Sequence, residues 1–355
     1  MKHYFHRVAE VTPTRFWINN VTREEAALAI SEGAIGCTQN PSYTWKMLTH
    51  PTEKEFAIGK LDEILKANPS FDNDQVLCEL QKTLVGNIAT TFFMPLYEES
   101  CEKNGYVSIQ GNPFKEDTDT IVRCALSNHE AAPNIMAKVP VTKEGIEAIE
   151  YLSSKKIPIN ATEVMSVQQA MDVGAAYRRG TNGIANPAPI FYSHITGILD
   201  EHFKSAVAAK SIEINPDTLW QAGIACAKKT YHCTKSAYPE LGFIGGGARG
   251  LHHFTEMVGA DANITINWKG TAEDLINNDP VVVSRFLQPV PENILDEMIH
   301  KIPDFKQAYF LEDITPEEYE GFGPVVLFRR SFETAWKNAL DFIDNYRKQK
   351  DIGKQ

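Results

Sequence analysis

The chain of 355 residues lacks the features that mark several large classes of protein. Its six cysteines show no CxxC spacing, which disfavours a structural zinc site and a disulfide framework and predicts reduced thiols. No run of five or more Lys or Arg residues occurs, and the net charge is -11, so neither a nucleic-acid surface nor an anionic membrane partner is indicated. We therefore expect a small-molecule ligand.

Long hydrophobic runs are also absent. Residues 1–7 carry no apolar segment typical of an export signal, and no stretch approaches about eighteen consecutive apolar residues. This predicts a cytoplasmic protein without a membrane span. The composition, with 43% apolar and 23% charged residues, is that of a globular protein long enough for one large core or two ordinary ones.

Short β-rich runs alternate with helical segments along the chain. Capping patterns that predict helix starts occur at Thr22-x-x-Glu25, Thr142-x-x-Gly145 and residues 166–169. The predicted strands are 15–19, 34–38, 106–110, 135–139, 157–162, 188–193, 241–245 and 263–267. Eight repeats of strand and helix predict an α/β fold, a single parallel (β/α)8 TIM-type barrel rather than an open sheet.

Two segments exceed a minimal barrel. Within a single domain of residues 1–355, we place the barrel at about 14–268, a helical insertion after the second strand at about 43–104, and a helical C-terminal extension at about 270–355. Apolar positions between residues 329 and 348 suit a long amphipathic helix. That helix could cap the barrel or contact a neighbouring subunit, so a homo-oligomer is possible.

Lys138 lies within the otherwise mostly apolar run of residues 134–140. An ammonium buried there loses hydration, so its pKa falls and the neutral amine can attack carbonyl groups. The alternative is a strand-end lysine that reaches solvent with its stem on apolar surface. Strand alternation favours burial, because it turns Lys138 inward together with polar residues at other strand ends. These polar residues are Asn19, Gln110, Asn160 and Thr162.

Ordered motifs at residues 14–19, 36–42, 107–110, 138–145 and 159–162 resemble those of the transaldolase family, which includes the fructose-6-phosphate aldolases. They combine a T-x-N-P-S pattern with a K-V-P-x-T-x-E-G pattern, and the resemblance spans about residues 14 to 268. It implies the same barrel and makes Lys138 the Schiff-base lysine. It also implies that Asn40 contacts the carbonyl intermediate and that Thr162 helps to hold the catalytic water. Ser42, Asn160, Ser193 and Gly247 complete the expected substrate site.

The resemblance implies an enzyme of carbohydrate metabolism, related to the pentose phosphate pathway, that acts on a sugar or sugar phosphate. It would cleave the C3–C4 bond of a ketose through a lysine enamine and transfer a dihydroxyacetone-type unit to an aldehyde. Protonation of the enamine would instead make it a fructose-6-phosphate aldolase-like lyase. This chemistry requires no cofactor and no metal.

Two acidic positions of the family are amides in this chain. Asn19 stands where transaldolases have an aspartate and Gln110 where they have a glutamate, and an amide cannot transfer a proton near neutral pH. Fructose-6-phosphate aldolases share the glutamine and use a tyrosine that aligns with His194, so we predict His194 as the general acid/base. Glu163 is a second candidate, but strand parity turns it away from the lumen. A degenerate relative that binds a sugar with little turnover is the alternative.

One of the two phosphate-binding arginines of the family is replaced by Gly197, and the other matches Arg249. Residues 245–250 also satisfy GxGxxG after a strand, which raises a dinucleotide-binding alternative. The motif comes late in the chain, however, where barrels bind phosphate through backbone amides. We therefore predict an anion site at Gly247 and Arg249. His252-His253 and His232-Cys233 lack further metal ligands, and we interpret both pairs as structural.

Overall fold

A computed structural model describes residues 2–352 of the chain. Eight parallel strands pair in chain order, and β1 also pairs with β8, so the sheet closes into a barrel. The strands are β1 Arg15–Asn19, β2 Ala34–Thr38, β3 Tyr106–Gln110, β4 Ile135–Pro140, β5 Ile159–Val164, β6 Ile190–His194, β7 Gly242–Gly245 and β8 Asn263–Ile266. The predicted (β/α)8 barrel is confirmed. Strands β5 and β6 are displaced most from the predicted bounds.

Helices surround the barrel and extend it. They are α1 Tyr4–Val11, α2 Arg23–Ser31, α3 Tyr43–Thr49, α4 Lys54–Ala67, α5 Asn73–Ile88, α6 Met94–Glu99, α7 Thr118–His129, α8 Lys143–Ser154, α9 Val167–Gly180, α10 Thr196–Ala209, α11 Pro216–Trp220, α12 Ala222–Ala237, α13 His252–Thr255, α14 Glu273–Asn278, α15 Glu292–Lys301, α16 Phe305–Tyr309 and α17 Gly323–Ile352. Short helical turns occur at Ala89–Phe93, Trp268–Ala272 and Pro316–Gly321. Helices α3 to α6 lie between β2 and β3, where the helical insertion was expected.

Local sequence explains where several of these helices begin. The side chains of Thr22, Thr142 and Ser166 each accept a hydrogen bond from the backbone nitrogen three residues ahead, at 3.0 to 3.1 Å. Each bond satisfies one of the unpaired amides in the first turn of α2, α8 and α9. The capping patterns found in the sequence are therefore used in the fold.

The lower part of the barrel lumen is filled with large apolar side chains. Trp17, Tyr106, Met136 and Ile244 form one buried cluster inside the sheet. Gly36 of β2 permits this packing, because a β-carbon at that position would overlap the indole of Trp17. The lumen is therefore packed with side chains below the polar residues at the carboxyl ends of the strands.

The C-terminal helix α17 covers the carboxyl end of the barrel. Its apolar side packs against α3, α5 and α10 and buries Phe332, Trp336 and Ile343. The predicted amphipathic helix is present and is longer at both ends than the 329–348 segment from which it was inferred. Within residues 2–352, none of the helices combines the length and apolar character required to cross a bilayer.

Candidate active site

Lys138 lies on β4 near the carboxyl end of the barrel, beside Gln110 of β3 and Asn160 of β5. Only 7% of its surface is exposed. Burial lowers the pKa of its ammonium group to about 8, although the negative charge of Glu163 acts in the opposite direction. Near pH 8, a large share of this amine is therefore neutral, and the neutral form is the one that attacks a carbonyl carbon.

A cavity of about 210 Å³ lies between Lys138, the strand ends and helix α17. Its lining of amide, hydroxyl and charged side chains suits a small polar ligand. The predicted site residues that line it are Asn19, Asn40, Ser42, Lys138, Ser193, Gly247 and Arg249. Phe328, Ser331 and Phe332 of α17 line its outer side. Residues from opposite ends of the chain thus meet in one cavity.

Asn19 is held by hydrogen bonds along the wall of this cavity. Its Nδ2 donates to Oδ1 of Asn267 at 2.9 Å, and its Oδ1 accepts from the Thr38 hydroxyl at 2.9 Å. The Thr38 hydroxyl also lies 2.8 Å from the hydroxyl of Thr265. Because an amide does not ionise near neutral pH, Asn19 contributes hydrogen bonds and orientation but no titrating proton.

A second polar chain lies across β3, β5 and β6. The Ser193 hydroxyl donates to Oδ1 of Asn160 at 2.7 Å, and Nδ2 of Asn160 donates to the Ser108 hydroxyl at 3.1 Å. All three side chains are buried. The structure therefore brings Asn160 and Ser193 together with Lys138, and adds Ser108, which the inward parity of β3 could have revealed.

The loops after β1 and β2 fix the side chain of Asn40. Its Oδ1 accepts from Nδ2 of Asn20 at 2.9 Å and from the Ser42 hydroxyl at 2.5 Å. The Asn40 backbone nitrogen donates to Oδ1 of Asn20 at 3.0 Å, and Lys46 binds the Asn20 carbonyl oxygen at 2.6 Å. With its oxygen engaged, the amide nitrogen of Asn40 remains as a donor for a ligand. The role of Asn20 was missed from the sequence.

Arg249 lies in the loop after β7, at the rim of the cavity. Its side chain is 45% exposed, and its Nε is 2.7 Å from Oε2 of Glu201 on α10. Its Nη1 also donates to the carbonyl oxygen of Gly247 at 3.2 Å. The predicted anion-binding arginine is therefore present at the cavity, but it already forms an ion pair with Glu201.

The loop that carries Arg249 is held from below by His253 and Asp200. Nδ1 of His253 accepts from the Arg249 backbone nitrogen at 3.2 Å, and its Nε2 lies 2.9 Å from Oδ2 of Asp200. Because Nδ1 acts as an acceptor, Nε2 carries the proton and donates it to the carboxylate. Burial lowers the pKa of His253, which keeps the ring neutral in this role.

The expectation that the two adjacent histidines lack a further metal ligand is wrong in one respect. Ligand atoms of Asp200, His252 and His253 lie within 4.8 Å of one another. In the described structure, His253 is hydrogen-bonded to Asp200, and Asp200 also accepts from the Gly223 backbone nitrogen at 2.6 Å. These hydrogen bonds position the Arg249 loop.

The glycine-rich segment after β7 does not open a long helix. In the part of the chain that the structure describes, the helix between β7 and β8 is α13, which has four residues. A dinucleotide-binding motif places its pyrophosphate at the start of a longer helix that returns to the next strand. This geometry favours the barrel interpretation of residues 245–250.

Gln110 and Thr162 lie at the carboxyl ends of the strands that flank Lys138. Nε2 of Gln110 donates to Oε1 of Glu163 at 3.0 Å. The Thr162 hydroxyl is buried and has no hydrogen-bond partner among residues 2–352. The expectation that Glu163 points away from the lumen is wrong, because this carboxylate meets the side chain of Gln110 at the strand ends.

His194 is not part of the cavity, and its placement corrects the expectation of an active-site imidazole. The ring lies on the outer side of β6, stacked on Phe243 with centroids 6.3 Å apart, and its Nδ1 is 2.8 Å from the Thr196 hydroxyl. Burial lowers the pKa of His194 to about 3. A neutral ring between the barrel and its helices is not in a position to act on a ligand beside Lys138.

Comparisons with known proteins identify transaldolases as relatives of this chain. The chain is 28% identical to a transaldolase of Thiobacillus denitrificans over 66% of its own length and 68% of that protein. It is 27% identical to a transaldolase of Saccharopolyspora erythraea, covering 63% and 62% of the two chains. It is 34% identical to a transaldolase of Helicobacter pylori, covering 41% and 44%. The matches thus span about half to two thirds of these relatives.

A family model described as transaldolase/fructose-6-phosphate aldolase matches residues 16–308, which include the whole barrel from Phe16 onward. The matched range contains Lys138, both strand-end amides and Arg249. The chain therefore belongs to the transaldolase/fructose-6-phosphate aldolase family.

Proposed function

We propose that this protein is a transaldolase-like transferase that forms a Schiff base between Lys138 and a ketose. One observation carries the proposal: a buried lysine of lowered pKa lies on the wall of a polar cavity at the carboxyl end of the barrel. Structural lysines are rarely buried in such surroundings, whereas carbonyl-attacking lysines require them. Family membership supports the same assignment.

The reaction follows from the chemistry of the amine. The neutral amine of Lys138 adds to the ketose carbonyl, and the carbinolamine loses water to give an iminium ion. Cleavage of the C3–C4 bond sends its electron pair into the iminium group and yields an enamine, while the C4 hydroxyl loses its proton and becomes an aldehyde. The enamine then adds to an acceptor aldehyde, which transfers the three-carbon unit.

The surrounding residues supply orientation. We assign to the amide nitrogen of Asn40 the role of donor to a hydroxyl or carbinolamine oxygen, and Ser193 lines the same cavity. Asn19 and its partner Asn267 line the wall next to them. Arg249 would bind an anionic group at the distal end of the sugar. Together these contacts hold a ketose with its carbonyl carbon at Lys138.

Protonation of the enamine instead of aldehyde addition would make the protein a fructose-6-phosphate aldolase-like lyase. The presence of Gln110 in place of a glutamate favours this alternative, because that branch of the family also has glutamine there. A sugar-binding relative with little turnover is the remaining alternative, since Asn19 and Gln110 do not titrate. Product analysis with and without an added acceptor aldehyde separates transfer from cleavage.

Borohydride trapping tests the proposal. The protein is incubated with dihydroxyacetone or fructose 6-phosphate, reduced, and analysed by intact mass and peptide mapping. We expect a three-carbon adduct on Lys138 that is absent from Lys138→Met. The matched control is Lys143→Met, which removes an exposed lysine on α8 and should leave the adduct unchanged. Folded wild-type protein that yields no adduct with either ketose would overturn the proposed function.

A further inference from the structure

Glu163 occupies an irregular position in strand β5. A regular strand would turn the residue after Thr162 towards the surrounding helices. Instead, the pairing of β5 with β6 shifts between Ala161 and Val164, and Glu163 has a positive φ of 64°. A bulge of this kind redirects a side chain, and a non-glycine residue in the left-handed region costs roughly 1 kcal/mol. The chain bears this cost at a strand end of the barrel.

Neighbouring side chains hold the bulge in place. Nε2 of Gln169, on α9, donates to the Glu163 carbonyl oxygen at 3.1 Å and to the Val141 carbonyl oxygen at 2.9 Å. Nε2 of Gln110 donates to the Glu163 carboxylate at 3.0 Å. Both ends of the residue are thus fixed by amide groups that cannot titrate.

The C-terminal helix supplies the charge that faces Glu163. Nη2 of Arg329 lies 3.8 Å from Oε2 of Glu163 and 3.1 Å from Oε2 of Glu116, and its Nη1 lies 3.2 Å from Oε1 of Glu320. Glu163 and Glu116 are both buried at the side chain, whereas Glu320 is more than half exposed. Two buried carboxyl groups therefore share one guanidinium group.

This arrangement favours a proton between the two buried carboxyl groups. Burial raises the pKa of Glu163, opposed by Arg329 and by the hydrogen bond from Gln110. Burial also raises the pKa of Glu116, and the nearby charge of Glu163 raises it further. Because one guanidinium group faces both carboxyl groups, loss of the first proton from the pair makes loss of the second less favourable.

The unpaired polar atoms of this cluster belong to residues on the two strands that flank β4, which carries Lys138. Gln110 pairs with Lys138 in register, and Thr162 pairs with the next inward-facing position of β4, Pro140. Oε1 of Gln110, the Thr162 hydroxyl and Oε2 of Glu163 are buried without a hydrogen-bond partner in the described chain. Buried polar atoms are rarely left unpaired in a resting structure, so these three indicate a place for a reacting hydroxyl group or water.

We propose that Glu163 is the catalytic carboxyl group that donates and accepts protons at the Lys138 adduct, and that Arg329 is its positioning residue. This inference rests on the proposed Schiff-base function. It assigns the proton transfer that neither amide, Asn19 or Gln110, can perform. It also gives α17 a part in the reaction through Arg329, beyond covering the cavity.

The proton balance is complete with this one group. When Glu163 holds the proton of the pair, it gives this proton to the carbinolamine hydroxyl, which leaves as water while the nitrogen lone pair forms the iminium bond. The resulting carboxylate is stabilised by Arg329 and Gln110. It then takes the proton of the C4 hydroxyl as the C3–C4 bond breaks, and its acid form is restored.

The principal test compares Glu163→Gln with Glu320→Gln in the full-length protein. Both changes remove a carboxylate next to Arg329, but only Glu163 lies beside Gln110 and Lys138. We expect Glu163→Gln to slow cleavage of fructose 6-phosphate and borohydride-trapped adduct formation by roughly 10²- to 10⁴-fold. Glu320→Gln should remain within about threefold of wild type for both rates, as expected for an exposed ion pair.

A second variant guards against misfolding of the first. Glu163→Gly suits the positive φ of this position and leaves space for a small carboxylate. We expect formate to restore part of the lost rate in Glu163→Gly and to have no effect on wild type. A structural role for Glu163 would instead lower thermal stability without formate rescue.

The pH profile tests the positioning role. Arg329→Met removes a positive charge that lowers the pKa of Glu163, so the pH limb of kcat that belongs to the carboxyl group should move to higher pH. In Glu163→Gln the same limb should disappear. A profile that stays unchanged in both variants would overturn the inference.

The outcomes separate this inference from the proposed function. A Lys138 adduct in wild type together with full turnover by Glu163→Gln would refute the role of Glu163 and leave the Schiff-base proposal standing. Failure of wild type to form any adduct would refute both. An adduct in wild type, slow reaction in Glu163→Gln and formate rescue of Glu163→Gly would support both.

Discussion

Gly197 and Gly247 are in such close contact that a β-carbon on Gly197 would overlap the Gly247 carbonyl oxygen. The backbone nitrogen of Gly197 donates to the carbonyl oxygen of Gly246 at 3.3 Å, and the added β-carbon would also lie 3.0 Å from the Arg249 nitrogen. The loop after β7 therefore rests directly on the first turn of α10. This explains physically why an arginine is not accommodated at position 197 with the present backbone.

The contact predicts that Gly197→Ala is destabilising. The loop must move away from α10, and overpacking of this kind costs about 1–3 kcal/mol. The matched control is Gly59→Ala on α4, where an added β-carbon meets no atom within 4 Å and should stabilise the helix by roughly 0.5–1 kcal/mol. Denaturant unfolding of both variants measures the difference. Equal free energies of unfolding for the two variants would show that the loop after β7 can move at little cost in stability.

Arg249 and Glu201 should affect anionic and neutral ketoses differently. Arg249→Ala should raise KM for fructose 6-phosphate by about 10- to 100-fold, since a charge-assisted contact is lost, and should change KM for dihydroxyacetone by less than about threefold. Glu201→Gln frees the guanidinium group and should lower KM for the phosphorylated ketose. Steady-state kinetics with both ketoses provides the comparison. An equal effect of Arg249→Ala on both would contradict an anion site.

The lowered pKa of Lys138 predicts the pH dependence of adduct formation. Protonation blocks the attacking amine, so the initial trapping rate should rise roughly tenfold per pH unit below pH 8, and this rise should end near pH 8. The measurement is the initial rate of adduct formation with dihydroxyacetone between about pH 6 and pH 10, monitored by intact mass. A rate that continues to rise up to about pH 10 would indicate a lysine of ordinary pKa.

The same burial predicts that Lys138→Met stabilises the fold. A lysine whose folded pKa lies below its unfolded value of 10.5 destabilises the native state when charged, and this cost is fully present below pH 8. The variant should therefore be more stable than wild type by on the order of 1–3 kcal/mol at pH 7, with the difference shrinking as pH rises from 8 to 10.5. Urea unfolding at several pH values measures it. Destabilisation at pH 7 would show that the ammonium is well solvated.

His194→Phe tests the corrected placement of this residue. The ring stacks on Phe243 outside the lumen, so phenylalanine should fill the same space at the cost of one hydrogen bond to Thr196. We expect turnover within about threefold of wild type and a stability change within roughly 1.5 kcal/mol. Loss of turnover from a folded variant would restore the histidine as a candidate acid/base.

Local sequence patterns are sufficient to predict the barrel and the position of Lys138. Strand periodicity is a local signal, and eight alternations of strand and helix leave few ways to bury every apolar face. Period-two alternation also placed Asn19, Gln110 and Lys138 on one side of the sheet, because regular strands obey it. Motif order then indicated the family that the comparison over residues 16–308 shows.

The tertiary structure alone decided the surroundings of the lysine. The parity rule failed at Glu163 because the bulge in β5 depends on Gln169 and Gln110 from other elements. Arg329 reaches the site only because α17 folds back over the barrel, and no local pattern encodes that return. Strand parity on β6 turns His194 outward, where the ring stacks on Phe243. Strand and helix periodicity depends on residues that are neighbours in the chain. The Glu163 carboxylate and the Arg329 guanidinium group come together only when distant segments of the chain pack against each other.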